Sequence, residues 1–318
     1  MSLNKIRKVK SPVALVITAM IWGTTFVIQL IGGEAIGPFT FNCIRSFIGA
    51  LALVPVILVL DRVGLSPKKP KTKKDYRSLL IAGIVCGIVL CLASNIQQVG
   101  INMSNSAGKS GFITTLYILI VPILGLFFRR KSSWNVWISV AIALVGLYLL
   151  CFRGPLGFKP GDYVLLLNAF FFAVHILVVD RYAPVEDNIR LSFVQFIVSG
   201  LISIIPMITV ELIPRGFFNW ITQFSSFKGW VALLFAGILA SGVAYTLQIV
   251  GQNGMKPAAA SLIMSFESVF AFIAAWIIRG EQMTPKEMLG GLLIFIAVVF
   301  AQIPFKEILS KKKKRSTV

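Results

Sequence analysis

Apolar residues run through this chain in long blocks, and polar residues gather mainly between them. The blocks lie near residues 12–31, 38–60, 76–99, 105–128, 132–151, 160–181, 188–212, 227–251, 256–278 and 284–304. A bilayer-spanning helix needs roughly 20 mainly apolar residues, and each block meets that length. Transmembrane β-strands are shorter and alternate apolar with polar positions. Runs such as LALVPVILVL (51–60) and LIVPILGLFF (119–128) do not alternate. The pattern predicts an all-α integral membrane protein, a bundle of ten transmembrane helices.

Composition agrees. Of the 318 residues, 57% are hydrophobic and 14% charged, with a mean hydropathy of +0.85; soluble domains carry about a quarter charged residues. A net charge of +19 invites a nucleic-acid partner, but its distribution argues against one. With the N-terminus in the cytoplasm, 23 of the 31 Lys and Arg residues fall on the inner side and 6 on the outer side. That is the positive-inside pattern. It predicts a multi-pass protein of the plasma (inner) membrane with both termini cytoplasmic, and the lipid bilayer as its setting. The basic tails at 1–11 and 305–318 read as orientation signals, with anionic-lipid binding by KKKKRSTV as an alternative. The first block follows a short basic start but has no small-residue cleavage site, so it is read as a retained helix. Cys43, Cys86, Cys91 and Cys151 lie in or beside apolar blocks without disulfide or metal-ligand spacing.

The chain also repeats itself. A shift of about 150 residues lays AMIWGTTFV (19–27) on AFFFAVHIL (169–177), and LLIAGI (79–84) on LLFAGI (233–238). The halves, 12–151 and 160–304, would each hold five helices. An odd number places the second half upside down relative to the first, an inverted repeat with a substrate site near the midplane. Gly83 with Gly87, and Gly237 with Ser241, are small-xxx-small steps for close helix packing. Thr284-Pro285-Lys286-Glu287 is a capping box, which gives Glu287 a structural role.

Polar residues within the blocks are the informative ones, since each is costly in lipid unless it faces protein or water. Trp22, Thr25 and Gln29 share one helical face, as do Asn95, Gln98 and Asn102; Ser110, Thr114 and Tyr117; and Tyr245, Gln248 and Gln252. Interhelical hydrogen bonding explains any single stripe. Four stripes together predict a polar cavity with aromatic walls. Arg45 lies about 10 Å into its helix at 1.5 Å per residue. Lys109 is within a turn of a helix end, where snorkelling competes with function. His175 is the sole histidine; it titrates in the physiological range when unperturbed, although a fixed bond to a neighbouring helix accounts for it as well. Glu267 falls at the bilayer centre, roughly 16 Å from either surface. An ionised carboxylate there needs a cation, water or several donors. It reads as a half-buried group at the edge of a Ser261, Ser265 and Ser268 stripe, facing a transport path and, with His175, a candidate for proton coupling. A structural link between helices is its competitor.

Enzyme chemistry finds no foothold. AGKS (107–110) lacks the earlier glycine of a phosphate loop, where Met103 stands, and no HExxH or GxSxG occurs. One histidine excludes a multi-histidine metal site, and no cofactor is expected. The rival classes are a membrane enzyme acting on lipids or isoprenoids, which would need clustered catalytic residues near one interface, and a non-transporting receptor or scaffold.

The stretches IWGTTFVIQ (21–29), IQQVGI (96–101), SAGKSGFITTLYILIVP (106–122), LVGLYLL (144–150), GDYVLLLNAFFFAVHIL (161–177), SGVAYTLQIVGQ (241–252) and SFESVFAFIAAWIIRGE (265–281) resemble the drug/metabolite transporter superfamily, specifically proteins with two EamA domains. The resemblance implies two inverted five-helix repeats around a central cavity. It carries over Trp22, Thr25, Asn95, Gln98, Thr115, His175, Tyr245, Gln248 and Glu267 as cavity or gate residues. Related sequences often place proline after this glutamate, whereas Ser268 stands here, which puts a proline kink in doubt. The family moves amino acids, sugars, nucleotide derivatives and drugs, commonly outward. The expectation is a secondary or facilitative transporter that exports small polar metabolites such as amino acids, or drugs, by alternating access, with H+ as a coupling partner. Arg45, Gln29 and Tyr117 complete its path, and it acts as a monomer.

Overall fold

The computed structural model describes residues 3–66, 68–104, 106–127, 129, 132–151, 159–280 and 284–303. The tail at 305–318 and the side chains of residues 1–10 and Cys151 lie outside that description. The described residues form helices and connecting turns, with no strand among them.

The first three predicted segments are the single helices α1 (Leu3–Ala35), α2 (Pro38–Arg62) and α3 (Lys73–Ser104). The fourth is broken at Leu116 into α4 (Ala107–Thr115) and α5 (Tyr117–Phe127). After α6 (Trp134–Cys151) and α7 (Pro160–Tyr182), α8 (Asn188–Pro206) runs through a π-helical segment, Met207–Leu212, into the short helices α9 (Ile213–Arg215) and α10 (Phe217–Ile221). The eighth segment is α11 (Phe227–Leu234), a π-helical stretch Phe235–Tyr245, and α12 (Thr246–Gln252). The ninth breaks at Ser265 into α13 (Pro257–Met264) and α14 (Phe266–Arg279), and α15 (Pro285–Gln302) is the last.

Among the described residues, eight stretches are long and apolar enough to cross a membrane: Ser11–Ala35, Pro38–Arg62, Lys73–Ser104, Ala107–Phe127, Pro160–Tyr182, Asn188–Arg215, Phe227–Gln252 and Pro257–Ile278. The remaining two of the ten predicted segments are shorter apolar helices. α6 contributes only the shorter apolar helix Trp134–Leu150, and α15 spends its first turn on Lys286 and Glu287. These two 18-residue helices pack against each other. Large apolar side chains such as Leu51, Leu58, Phe127, Ile205 and Leu292 face outward. So much exposed apolar surface suits lipid rather than water.

The helix ends follow local chemistry. Proline opens α2, α7, α13 and α15, where its missing N–H costs nothing. Asp187 caps α8, and Thr284 with Glu287 forms the predicted capping box. The start of α2 is capped from a distance. Glu211 accepts hydrogen bonds from Phe39 N and Thr40 N, each at 2.9 Å, and from the Thr40 hydroxyl, while Gln223 accepts from Gly37 N. A buried carboxylate over a helix N-terminus meets both the unpaired amides and the helix dipole.

The small-residue steps act as contacts. A Cβ on Gly87 would stand 2.8 Å from the Gln195 carbonyl oxygen, so that step seats α8 against α3. Gly237 and Ser241 lie against Ile48 and Gly49 of α2. α1 packs on α14, α12 and the π-helical stretch, and α3 packs on α7 and α8, leaving the cavity between these groups.

Candidate functional site: the central cavity

The two helix breaks define the site. At Leu116 and Ser265 the backbone tightens to i, i+3 bonds, Leu119 N to Leu116 O and Ser268 N to Ser265 O. A shift of about 150 residues superposes these positions. The broken ends meet: Thr115 Oγ1 is 3.1 Å from Glu267 Oε1, 2.8 Å from Ser268 Oγ and 2.6 Å from Gly111 O. A hydroxyl has one proton, so Thr115 donates to Gly111 or to Glu267 but not to both. The break stands without a proline after the glutamate.

Beside this junction lies a cavity of about 30 Å³, room for about two water molecules. Seven of the expected residues form its wall: Trp22, Thr25, Gln29, Arg45, Tyr117, Tyr245 and Glu267. Trp22 leans on Tyr245 with ring centroids 4.7 Å apart, and its Nε1 donates to Ala240 O at 3.4 Å. Ala240 sits in the π-helical stretch, a geometry that frequently marks functional sites. Glu267 is 3% exposed, buried rather than half-buried, and α1 lies close against its backbone, where a Cβ on Gly23 would stand 2.5 Å from Glu267 O. Arg45 is also buried, and its guanidinium lies 6.0 Å over the Phe41 ring. The ion pairs found among the described residues lie elsewhere, so Arg45 and Glu267 face one cavity without pairing with each other.

Five expected residues stand off the wall. Thr115 acts through Glu267. Gln98 accepts from Gln29 Nε2 at 3.0 Å and donates to Gln29 O and Asn102 Oδ1, closing the cavity at the end where α1 and α3 finish. Asn95 turns to α8, where it donates to Ser203 Oγ at 2.9 Å and borders a separate apolar pocket of about 410 Å³. His175 is buried, with Nε2 3.2 Å from Gln195 Oε1 and its ring edge-on to Tyr245. Gln248 is buried one turn beyond Tyr245. Lys109, left between snorkelling and function, pairs with buried Asp162 at 2.6 Å, tying α4 to α7.

Sequence reasoning missed Phe26, Gln97, Phe172 and Ala240 and left Thr114 in its stripe; all five line the cavity. Gln97 neighbours a residue already singled out, and Thr114 bonds Asn168 Oδ1 at 2.9 Å. The two phenylalanines look like any apolar residue in sequence. At the opposite end, a vestibule of about 420 Å³ is bordered by Val121, Gly125, Arg129, Asp180 and Lys256. Among the described residues no cluster of His, Cys, Asp or Glu could hold a metal ion.

The family model described as the EamA-like transporter family matches residues 10–152 and 159–302. The chain belongs to the EamA-like transporter family. Similar proteins include a chain named as an uncharacterized transporter of Archaeoglobus fulgidus, 28% identical over 94% of this chain and 87% of that one. The uncharacterized transporter YoaV of Bacillus subtilis is 23% identical over 93% of this chain and 98% of its own. An S-adenosylmethionine uptake transporter of Rickettsia bellii is 23% identical over 88% of this chain and 89% of its own. One crystal structure shares the fold with a TM-score of 0.69, covering 92% of this EamA-like chain and 96% of the other at 16% identity.

Proposed function

We propose that this EamA-like chain is a secondary or facilitative transporter of small zwitterionic solutes, amino acids foremost. The carrying observation is that a guanidinium, Arg45, and a carboxyl group, Glu267, line one cavity without pairing with each other. In low dielectric such a pair of separated charges is costly alone and complementary to an ammonium and a carboxylate on one molecule. The helix breaks at Leu116 and Ser265 suit inverted repeats, whose discontinuous helices place substrate at the midplane. On this reading ten membrane helices form two five-helix halves, and α6 and α15 complete the count.

At about 30 Å³ the cavity is smaller than any amino acid. Binding therefore requires the halves to part, as alternating access demands. The Gln29–Gln98 bonds and the Lys109–Asp162 pair close one end, and the vestibule lies at the other. The positive-inside pattern of the basic loops supports a cytoplasmic, plasma-membrane placement of the vestibule, and on this reading the chain exports its solute as a monomer. One relative is named for uptake of S-adenosylmethionine, a solute with an amino-acid end. That name favours the same substrate chemistry, with uptake as the second reading of direction.

Glu267 and His175 are the candidate proton-coupling groups. The test is solute uptake into proteoliposomes with and without a pH gradient. Proton coupling predicts stimulation of wild type by the gradient and none of Glu267→Gln; transport indifferent to the gradient in both removes it. A purified protein that transports nothing but hydrolyses or alkylates a lipid would place the chain among membrane enzymes instead.

A further inference from the structure

Below the central cavity, polar side chains gather where the bundle should be driest. Tyr245 lines the cavity, and Gln248 and Gln252 continue its stripe along α12 at i+3 and i+7. The stripe ends beside Gly254, Met255 and Lys256, which border the vestibule. α12 packs on α7 and α8, which bring His175, Ser192 and Gln195. None of these five is more than 2% exposed. Yet seven of their side-chain atoms have no hydrogen-bond partner: His175 Nδ1, Ser192 Oγ, Gln195 Nε2, and both amide atoms of Gln248 and Gln252.

Buried polar atoms in proteins are almost always paired, and each unpaired one costs free energy comparable to a lost hydrogen bond. Apart from the His175 Nε2–Gln195 Oε1 contact between α7 and α8, these side chains make no bond across the helices, so structural glue does not account for them. The five side chains carry no permanent charge, and they offer both donors and acceptors. That chemistry suits water, which needs two to four polar partners where it is held inside a protein.

We propose that His175, Ser192, Gln195, Gln248 and Gln252 line an internal hydration site, a file of water molecules joining the vestibule beside Lys256 to the cavity beside Glu267. The proposal deepens the transport reading, on which its purpose rests: the file gives Glu267 a hydrogen-bonded route to one face of the membrane. Its physical test needs no transport.

Radiolytic hydroxyl labelling of the intact protein in lipid nanodiscs, read by mass spectrometry, reports water standing against buried side chains. Wild-type His175 is expected to label at least tenfold faster than Phe41, an equally buried residue in an apolar cluster. Gln248→Leu with Gln252→Leu should slow His175 labelling at least fivefold and leave the melting temperature unchanged or raised, because unpaired polar atoms are removed. His175 labelling no faster than Phe41 in wild type overturns the proposal, whether or not the double variant folds. So does His175 labelling in the folded double variant as fast as in wild type. Absent transport with intact labelling would instead count against the transport reading alone.

Discussion

Thr115 of α4 and Glu267 of α14 are 3.1 Å apart across the point where two broken helices meet. The tightened turns at Leu116 and Ser265 set the ends side by side, with Ser268 as the third partner. The junction explains why a carboxyl group is tolerated amid apolar sequence: it has a hydroxyl neighbour and a cavity in front of it. Replacing Thr115 by Val keeps the shape and removes the hydroxyl. Stability should fall by about 1 kcal/mol, the ordinary net worth of a hydrogen bond, seen as a lower melting temperature in detergent. Solute uptake should fall more than this modest loss of stability explains.

Gly23 is the complementary contact. Its missing side chain lets α1 approach the Glu267 carbonyl, and an added Cβ would sit 2.5 Å from it against backbone. Gly23→Ala should therefore displace α14 from α1 and cut transport at least tenfold while the protein still inserts. Uptake at the wild-type rate would show that α1 and α14 separate without cost there.

Glu211 has no place in the transport path, and it should matter to folding. It holds three donors at the start of α2 from more than 170 residues away. Glu211→Ala should destabilise the protein by about 2 kcal/mol, in the upper range for a lost helix cap. Glu211→Gln, which keeps one acceptor, should lose less. Thermal unfolding in nanodiscs measures both.

Asp162 serves two partners, the Lys109 ammonium and the Lys159 amide of its own helix. Asp162→Ala should thus cost more stability than Lys109→Met. The latter leaves Asp162 its bond from the Lys159 amide, whereas the former removes both that bond and the ion pair. Equal losses would mean that the ion pair alone carries the closure.

The membrane class and most of the cavity's polar wall were readable from hydrophobic blocks and from stripes at helical spacing. Trp22, Thr25 and Gln29 share a face in the sequence and a wall in the structure. The stripes fixed which residues share a face, not which neighbour that face meets. Asn95 and Gln98 look equivalent by spacing, yet α8 takes the first and α1 the second. The helix breaks left no clear trace, because Leu116 and Ser265 are neither glycine nor proline. Glu211 escaped notice because its partners are distant in sequence. The apolar blocks do not separate α6 and α15, each 18 residues long, from the eight longer spans.

The central claim is that Arg45 and Glu267 together recognise a zwitterion. Counterflow in proteoliposomes tests it most directly, comparing labelled amino acids with analogues that lack either the carboxylate or the ammonium group. The expected result is exchange of at least one amino acid, loss of exchange for both analogues, and at least tenfold slower exchange with Arg45→Gln or Glu267→Gln. Exchange of an analogue lacking one charge as fast as its parent, with both variants at the wild-type rate, would contradict it.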